Sequence, residues 1–213
     1  MMGELSIEQQ KKIIDVLGIR NDGFARALSD QAMGGIYALI HLCGDHPNRD
    51  GLEDTPFRVV KAFLEYTTGY AENPDKHLKK TFDVPHQELV LVKDIEFYSM
   101  CEHHFAPFFG VVHVGYIPDK KITGLSKIAR MVDGYAKRFQ VQERLTSQIS
   151  EAMVNVLEPR GVMVVVEAKH MCMCGRGVMK SSSSTTTSSV RGVFANETAA
   201  RAEFMSLIGG RRW

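Results

Sequence analysis

The stretch Val162-Met163-Val164-Val165-Val166-Glu167-Ala168 is rich in β-branched apolar residues and follows a Pro-Arg-Gly turn at 159–161. A run of this kind, bounded by turn residues, predicts a β-strand. Two segments with helical periodicity precede it, at 124–138 and 141–157, and the second carries apolar residues along one helical face. The fold therefore depends on which elements lie on either side of this strand.

Further strands are predicted before and after the helical pair. Segments 89–92 and 111–117 have strand character. Residues 181–189 are all Ser or Thr, which is typical of a flexible linker, but the threonines and the apolar residues after them favour a fourth, partly exposed strand. The order strand, strand, helix, helix, strand, strand predicts an α+β fold with both helices on one face of a sheet. A short helix at 197–208 closes the chain.

The part of the chain before this sheet is predicted to be helical. Apolar residues recur at helical spacing between Phe24 and Ile40, and Thr55-Pro56 suits the start of a second helix. A polar connection with two prolines follows at 71–85. We therefore expect a helical N-terminal region at 1–84 and a sheet-containing domain at 85–213.

Composition narrows the class of protein. The chain has 213 residues, with 26 Lys and Arg against 25 Asp and Glu, so its net charge gives no general attraction to nucleic acid. No run approaches the roughly 20 apolar residues of a membrane helix, and the N-terminus lacks the apolar stretch of a signal peptide. These features predict a cytoplasmic protein that binds neither nucleic acid nor membrane. Four cysteines in a chain this long do not form a secreted disulfide framework.

Two short Cys/His clusters suggest a metal site. One is Cys-Glu-His-His-Phe at 101–105, and the other is His-Met-Cys-Met-Cys at 170–174. Each follows a predicted strand, so only the fold can bring them together. Thiolate and imidazole are the ligands that zinc prefers. The candidate ligands are Cys101, His103, His104, His170, Cys172 and Cys174.

The number of candidates leaves two kinds of zinc site open. Structural zinc normally takes four protein ligands, and Cys174 would then be the fourth if strand alternation continues past His170. Catalytic zinc takes three and keeps an open position for water. Histidines left over beside such an ion can move protons near neutral pH, which favours the catalytic interpretation.

Separate residues suit an anionic ligand. Ser126 lies near the start of the first helix, and Lys127 and Arg130 are three apart on one side of it, a pattern that also fits ordinary capping and a solvated face. Arg176 follows the second Cys/His cluster. No P-loop pattern is present, so phosphates would have to be held by these side chains. Two further cations on the N-terminal helices, Arg58 and Lys61, are weaker candidates.

Gln142 and Glu143 begin the second helix of the pair. An acidic residue in a first turn commonly does no more than complement the helix dipole. A carboxylate can also accept two hydrogen bonds from the N1–H and 2-amino edge of guanine, because that edge presents only donors.

Together these motifs resemble the GTP cyclohydrolase I family. The resemblance is carried by the two Cys/His clusters, by Gly-Leu-Ser-Lys-Ile at 124–128, by Gln-Val-Gln-Glu-Arg-Leu at 140–145 and by Arg-Gly at 176–177. Pro-Asn-Arg-Asp-Gly-Leu and Asp-Thr-Pro, within 47–56, also fit. The match runs in consistent order from about residue 45 to the C-terminus.

The resemblance implies the tunnelling fold, an antiparallel four-stranded sheet with two helices per subunit, in a homodecamer whose active sites lie between subunits. It implies conversion of GTP and water to 7,8-dihydroneopterin triphosphate and formate, which begins tetrahydrofolate and other pterin synthesis. Zinc would lower the pKa of a water to about 7 and so supply hydroxide. The implied residue roles are zinc binding by Cys101, His104 and Cys172; proton transfer by His103 and His170; guanine binding by Gln142 and Glu143; and triphosphate binding by Ser126, Lys127, Arg130 and Arg176, with Arg58 and Lys61.

Three other functions compete with this interpretation. A zinc nucleoside deaminase would carry His-x-Glu followed by Pro-Cys-x-x-Cys, and neither is present. A non-enzymatic module stapled by zinc predicts four closed ligands and no triphosphate affinity. A tunnelling-fold relative acting on another purine is disfavoured by the presence of both Cys/His clusters.

Overall fold

A computed structural model of the chain describes residues 23–209, which divide in sequence between Ala71 and Glu72 into two compact units. Over these residues no helix combines the length and apolar character required to cross a membrane. The elements are α1 (Gly23–Leu42), α2 (Thr55–Tyr66), β1 (Thr81–Asp83), β2 (Val90–Cys101), β3 (Pro107–Ile117), β4 (Lys121–Thr123), α3 (Leu125–Ala136), β5 (Phe139–Gln140), α4 (Gln142–Leu157), β6 (Gly161–His170), α5 (Met171–Cys174), β7 (Thr185–Gly192), α6 (Val193–Asn196) and α7 (Thr198–Ile208).

The described part of the first unit is helical. The first helix, α1, packs against α2, and a 3₁₀ helix follows at Thr68–Ala71. As the Thr-Pro pair predicts, α2 begins at Thr55 with a proline in its first turn, where the missing N–H costs no helical hydrogen bond.

The second unit is built on a five-stranded sheet in the order β5-β2-β3-β6-β7. The four long strands, β2, β3, β6 and β7, pair antiparallel, whereas the two-residue β5 pairs parallel with the end of β2. A separate two-stranded sheet joins β1 to β4. The expected antiparallel four-stranded sheet of the tunnelling fold is confirmed, and β5 is an addition that the sequence did not predict.

Both long helices of the second unit cover one face of this sheet. Apolar side chains at alternate positions of the strands face them, because successive strand residues point to opposite faces. Val112, Val164 and Ile149 are fully buried in this layer. The other fully buried members include Phe108, Val114, Ile128, Met131, Val132, Leu145, Met153, Val162 and Val166. The expected placement of two helices on one face is therefore confirmed.

The C-terminal helices α6 and α7 contribute to a second, smaller apolar cluster on the opposite side of β6. Phe194 and Phe204 meet edge to face, with ring centroids 6.2 Å apart, and both are fully buried beside Met163 and Val165. Gly115 of β3 makes room for this cluster, because a Cβ there would lie 2.6 Å from two ring carbons of Phe204.

The second half of the Ser/Thr run, from Thr185, lies in β7, and alternate hydroxyls of this strand face α4. Thr187 meets Thr146 and Ser189 meets Ser150, each pair with oxygens 2.7 Å apart. Both serines and Thr146 are buried. Paired hydroxyls can be buried without the penalty of an unsatisfied polar group. The prediction of a fourth strand, rather than a linker, is confirmed.

Residues 72–84, which composition groups with the helical region, pack within the second unit. They form a 3₁₀ helix at Pro74–Lys79 and the short strand β1. Leu78 is fully buried in the main core, and the Tyr135 hydroxyl of α3 donates a 2.6 Å hydrogen bond to Asp75.

Candidate metal centre

The first Cys/His cluster forms the turn between β2 and β3. The backbone N–H of Cys101 donates to the carbonyl of Ala106, and that of Phe105 donates back to the carbonyl of Cys101. The side chain of Cys101 is buried at the strand end, whereas His103 and His104 are exposed on the turn. The neighbouring Glu102 N–H donates to the carbonyl of Gln140, which ties the turn to β5.

Strand pairing brings the second cluster beside the first. Since β3 lies between β2 and β6, the residues that follow β6 return to the sheet end where β2 turns into β3. His170 pairs with Phe108, one residue after Pro107 pairs with Met100. This register explains how Cys101 and Cys172, which are 71 positions apart in sequence, come close together in space.

Three side chains converge here as a ligand group. The sulfur atoms of Cys101 and Cys172 and a ring nitrogen of His104 all lie within 4.8 Å of one another. In a tetrahedral zinc site, bonds of about 2.0–2.3 Å place ligand atoms roughly 3.5–3.8 Å apart, so a small inward adjustment brings these three around one ion. Two thiolates, one imidazole and an open fourth position suit a catalytic zinc site.

Cys174 points away from this group. The strand β6 ends at His170 and residues 171–174 form a helical turn, so strand alternation does not carry Cys174 to the side of Cys172. Its sulfur lies 3.7 Å from the carbonyl oxygen of Lys180 and 4.0 Å from that of Ser181.

The electrostatic environment differs between Cys172 and His170. Burial, reinforced by the neighbouring Cys101 thiol, raises the pKa of Cys172, and Arg176 acts in the opposite direction. A divalent cation would strongly favour the thiolate form. Burial lowers the pKa of His170, an effect that the nearby Glu143 carboxylate partly offsets. Burial therefore favours the neutral imidazole form of His170.

Candidate anion-binding residues lie on the first turns of α3 and after α5. The helix N-cap is Gly124, so Ser126 lies within the first turn. Ser126, Arg130 and Arg176 are exposed, and Lys127 is half-buried. Within residues 23–209, none of the three cations has a carboxylate within 4.0 Å, so their charges are not already neutralised by a salt bridge.

Arg58 and Lys61 belong to the first unit, on α2. Arg58 lies 4.0 Å from Asp54 and Lys61 lies 3.4 Å from Glu65, each one turn away on the same helix. Exposed pairs of this kind are weak and exchange readily with other anions.

Comparison with known proteins identifies the family. The model of the family described as GTP cyclohydrolase I matches residues 33–209 of this chain. The chain belongs to the GTP cyclohydrolase I family. A protein of Carboxydothermus hydrogenoformans named GTP cyclohydrolase 1 is 56% identical to this chain over 172 residues, which cover 80% of this chain and 90% of the relative. Proteins of the same name from Bacillus cytotoxicus and Bacillus mycoides are each 54% identical over 185 residues, which cover 86% of this chain and 98% of each relative.

This GTP cyclohydrolase I family member is therefore an enzyme, as the sequence predicts. Among solved structures, the apo form of an archaeosine synthase QueF-Like protein aligns with 49% of this chain and 93% of its own. The identity is 23% and the TM-score 0.39.

The side-chain amide of Gln142 in this family member is buried and forms hydrogen bonds with other residues of the chain. It is 1% exposed, and its Oε1 lies 2.8 Å from Nε2 of His170. Its Nε2 lies within 3.1 Å of three oxygens on β6 and β7. The adjacent Glu143 is exposed at the start of α4, with its carboxylate open to a ligand.

An ion pair beside the metal centre of this family member was not predicted from the sequence. Arg144 binds Glu102 in a bidentate fashion, with N–O distances of 2.6 and 3.0 Å. The guanidinium lowers the pKa of Glu102, whose other neighbour is the His103 ring at 3.9 Å. Only its place inside the Cys-Glu-His-His-Phe motif drew attention to Glu102, and nothing local pointed to Arg144.

Proposed function

We propose that this enzyme binds zinc through Cys101, His104 and Cys172 and opens the imidazole ring of GTP at C8. The products are 7,8-dihydroneopterin triphosphate and formate, and this reaction is the first step of tetrahydrofolate and pterin biosynthesis. The observation that carries the proposal is the convergence of a Cys-His-Cys group in a member of the GTP cyclohydrolase I family.

Zinc suits the donor set better than a harder cation does. Thiolate and imidazole are poor ligands for Mg²⁺ or Ca²⁺, which prefer carboxylate, carbonyl and water oxygens. When bound, zinc supplies a hydroxide nucleophile at neutral pH by lowering the pKa of water to about 7. The three proposed ligands leave a fourth position for that purpose.

His170 and His103 are the proposed proton-transfer residues. The C8 atom of guanine is a poor electrophile until N7 is protonated, so an imidazole must deliver a proton before water adds to C8. His170 is half-buried and follows the strand that leads to Cys172. His103 lies beside the ligand group, with its Nδ1 3.9 Å from the sulfur of Cys101. Ring opening, formate release, sugar rearrangement and ring closure each require further proton transfers.

Glu143 is the proposed guanine-binding residue. Its exposed carboxylate can accept hydrogen bonds from both the N1–H and the 2-amino group. Gln142 would contribute through its backbone or through His170, since its amide atoms are already paired.

Ser126, Lys127, Arg130 and Arg176 are the proposed triphosphate-binding residues. The unneutralised charges of the cations and the free N–H groups at the start of α3 both favour an anion. Arg58 and Lys61 of α2 are proposed as additional contacts, made where two subunits meet.

We also propose assembly into a homodecamer, with active sites between subunits. Two sheet edges support it. Within the described residues, the outer edge of β7 and that of β2 up to Ser99 pair with no other strand. An open edge is a template for pairing with another chain. Light scattering should give about ten times the 23.8 kDa chain mass.

A cytoplasmic location is proposed from cysteine chemistry. All four cysteines are free, and the two proposed ligands must stay reduced to hold zinc. A reducing compartment meets that requirement.

The test is incubation of purified protein of known zinc content with GTP, followed by assay of formate and, after oxidation, of fluorescent neopterin. Both products should appear in amounts that track bound zinc. GTP binding without formate would indicate a different reaction, and neither binding nor turnover would favour a structural zinc module.

A further inference from the structure

Gln142 is the first residue of α4, where a buried side-chain amide is unusual. It is 1% exposed, yet every polar atom of its side chain has a partner. Its Nε2 lies 3.0 Å from the carbonyl oxygen of Val166 and 3.0 Å from that of Thr185. It also lies 3.1 Å from Oγ1 of Thr187. The amide therefore joins α4 to both β6 and β7.

These partners fix which way the amide faces. Carbonyl oxygens only accept hydrogen bonds, so the atom that faces two of them must be the NH₂ group. A flipped amide would set its oxygen against both carbonyl oxygens, where no hydrogen bond can form. The Oε1 atom must then face His170, where it can only accept.

The threonine hydroxyls give the same direction independently. Thr146 donates its single hydroxyl proton to the backbone carbonyl of Gln142, at 2.7 Å. The 2.7 Å bond between the Thr146 and Thr187 hydroxyls must then be donated by Thr187. With its proton committed, the Thr187 oxygen can only accept, so it also requires the NH₂ group of Gln142 on this side, whose two hydrogens are shared among the Thr187 oxygen and the two carbonyl oxygens.

The orientation of the Gln142 amide determines which ring nitrogen of His170 carries the hydrogen. Its Nε2 lies 2.8 Å from the Gln142 oxygen, so Nε2 carries the hydrogen in the neutral ring. Phe108 stacks on the imidazole with centroids 4.7 Å apart and planes 2° apart, which holds the plane of the ring. Over residues 23–209, the Nδ1 atom has no hydrogen-bond partner and is not sealed from solvent.

We propose that Gln142 is a positioning residue that holds His170 as the Nε2–H tautomer and leaves Nδ1 as the atom that exchanges a proton with substrate. The proposal deepens the proposed function and rests on His170 being a proton-transfer residue. It assigns the Gln142 side chain to His170 rather than to guanine. The neutral ring presents a lone pair at Nδ1, and a proton taken up there can be delivered without breaking the Gln142 bond.

The first test needs no turnover. Zinc-loaded full-length protein labelled with ¹⁵N-histidine is examined by solid-state NMR, and the His170 signals are identified by their loss in His170→Asn. A protonated Nε2 and an unprotonated Nδ1 are expected for His170 in its neutral form. A protonated Nδ1 with a bare Nε2 would overturn the proposal, and this result is independent of whether GTP is the substrate.

The second test separates positioning from substrate binding. In Gln142→Met, which matches the side chain in length, kcat for formate release should fall by about 10- to 100-fold while KM for GTP changes little, because misplacing a catalytic group by about 1 Å costs up to that much. A raised KM with unchanged kcat would mean that the amide binds guanine, contrary to the proposal. The His170 tautomer should become mixed in this variant.

Ser150→Ala is the matched control. It removes a buried hydroxyl from the same helix, paired with Ser189 of β7, without touching Gln142 or His170. Its kcat and its His170 tautomer should match those of the wild type. If Gln142→Met fails to retain zinc, the wild-type tautomer still decides the matter. If the wild type releases no formate, the proposed function fails while the tautomer assignment stands or falls by itself.

Discussion

Replacing Gly115 with alanine should loosen the C-terminal helix from the sheet. The added Cβ would lie 2.6 Å from the Cδ2 and Cε2 atoms of Phe204 and 3.1 Å from Leu89, whereas ordinary contacts begin at 3.4 Å. Phe204 is fully buried and packs edge to face against Phe194, so its ring must shift to admit the new methyl group. Overpacking of this kind costs about 1–3 kcal/mol, against which the stiffer unfolded chain returns about 0.4–1 kcal/mol.

The expected net loss for Gly115→Ala is therefore about 1–2 kcal/mol, which corresponds to a Tm lowered by roughly 2–8 °C for a chain of this size. Differential scanning fluorimetry of the zinc-loaded protein measures it. Gly35→Ala is the control, because Gly35 lies within α1 with nothing within 4 Å of the new Cβ, and it should be neutral or stabilising. Equal Tm values for the two variants would refute the packing argument.

Three further predictions concern the metal centre, the buried histidine of β3 and the anion site. Cys172→Ser should lose zinc and activity while Cys174→Ser keeps both, and elemental analysis with formate assay decides between the two cysteines; the reverse pattern would overturn the ligand assignment. His113 is 4% exposed and its Nδ1 accepts the Asp94 N–H. Burial lowers the pKa of His113, with Asp94 and Glu167 partly opposing this. The unfolded chain therefore binds the extra proton first, and stability falls as the pH drops below about 6.5, by at most about 1.4 kcal/mol per pH unit. His113→Gln should flatten this loss in Tm scans between pH 7.5 and 5.5, whereas an unchanged slope would assign the acid sensitivity to other groups. Lys127→Ala should raise KM for GTP by about 10-fold, as expected for one charge-assisted hydrogen bond, and should leave the KM for guanosine unaltered; equal effects on both would contradict a phosphate contact.

Local sequence was sufficient for the two long helices of the second unit and for β6. The segment 162–168 became the centre of β6 (Gly161–His170), and the predicted helices at 124–138 and 141–157 became α3 and α4 with ends shifted by one or two residues. These elements are set by hydrophobic periodicity and turn residues, which act over a few neighbours. The β-bulge in β2, at Lys93 and Asp94, shifts the register with β3 by one residue and left no such local signal.

The contacts around the metal centre were less predictable. Arg144 is the third residue of a helix and Glu102 lies in a turn, so their ion pair depends on how β5 sets α4 against the end of β2. The family resemblance implies a guanine contact for Gln142, whereas the structure uses its side-chain amide to join α4 to β6 and β7. A polar side chain has the same pattern in sequence whether its partner is substrate or protein.

The sequence by itself determined the types of element, the residue types that can bind zinc, and the family. Residue types and spacing alone could not choose among six Cys and His candidates, because ligand choice depends on distances across the sheet; the choice of Cys101, His104 and Cys172 came from the family resemblance. Only the pairing of β2, β3 and β6 brings Cys101, His104 and Cys172 within 4.8 Å of one another, and only the end of β6 at His170 turns Cys174 away. Long-range register is a property of the packed sheet, since it follows from burying one face of every strand at once.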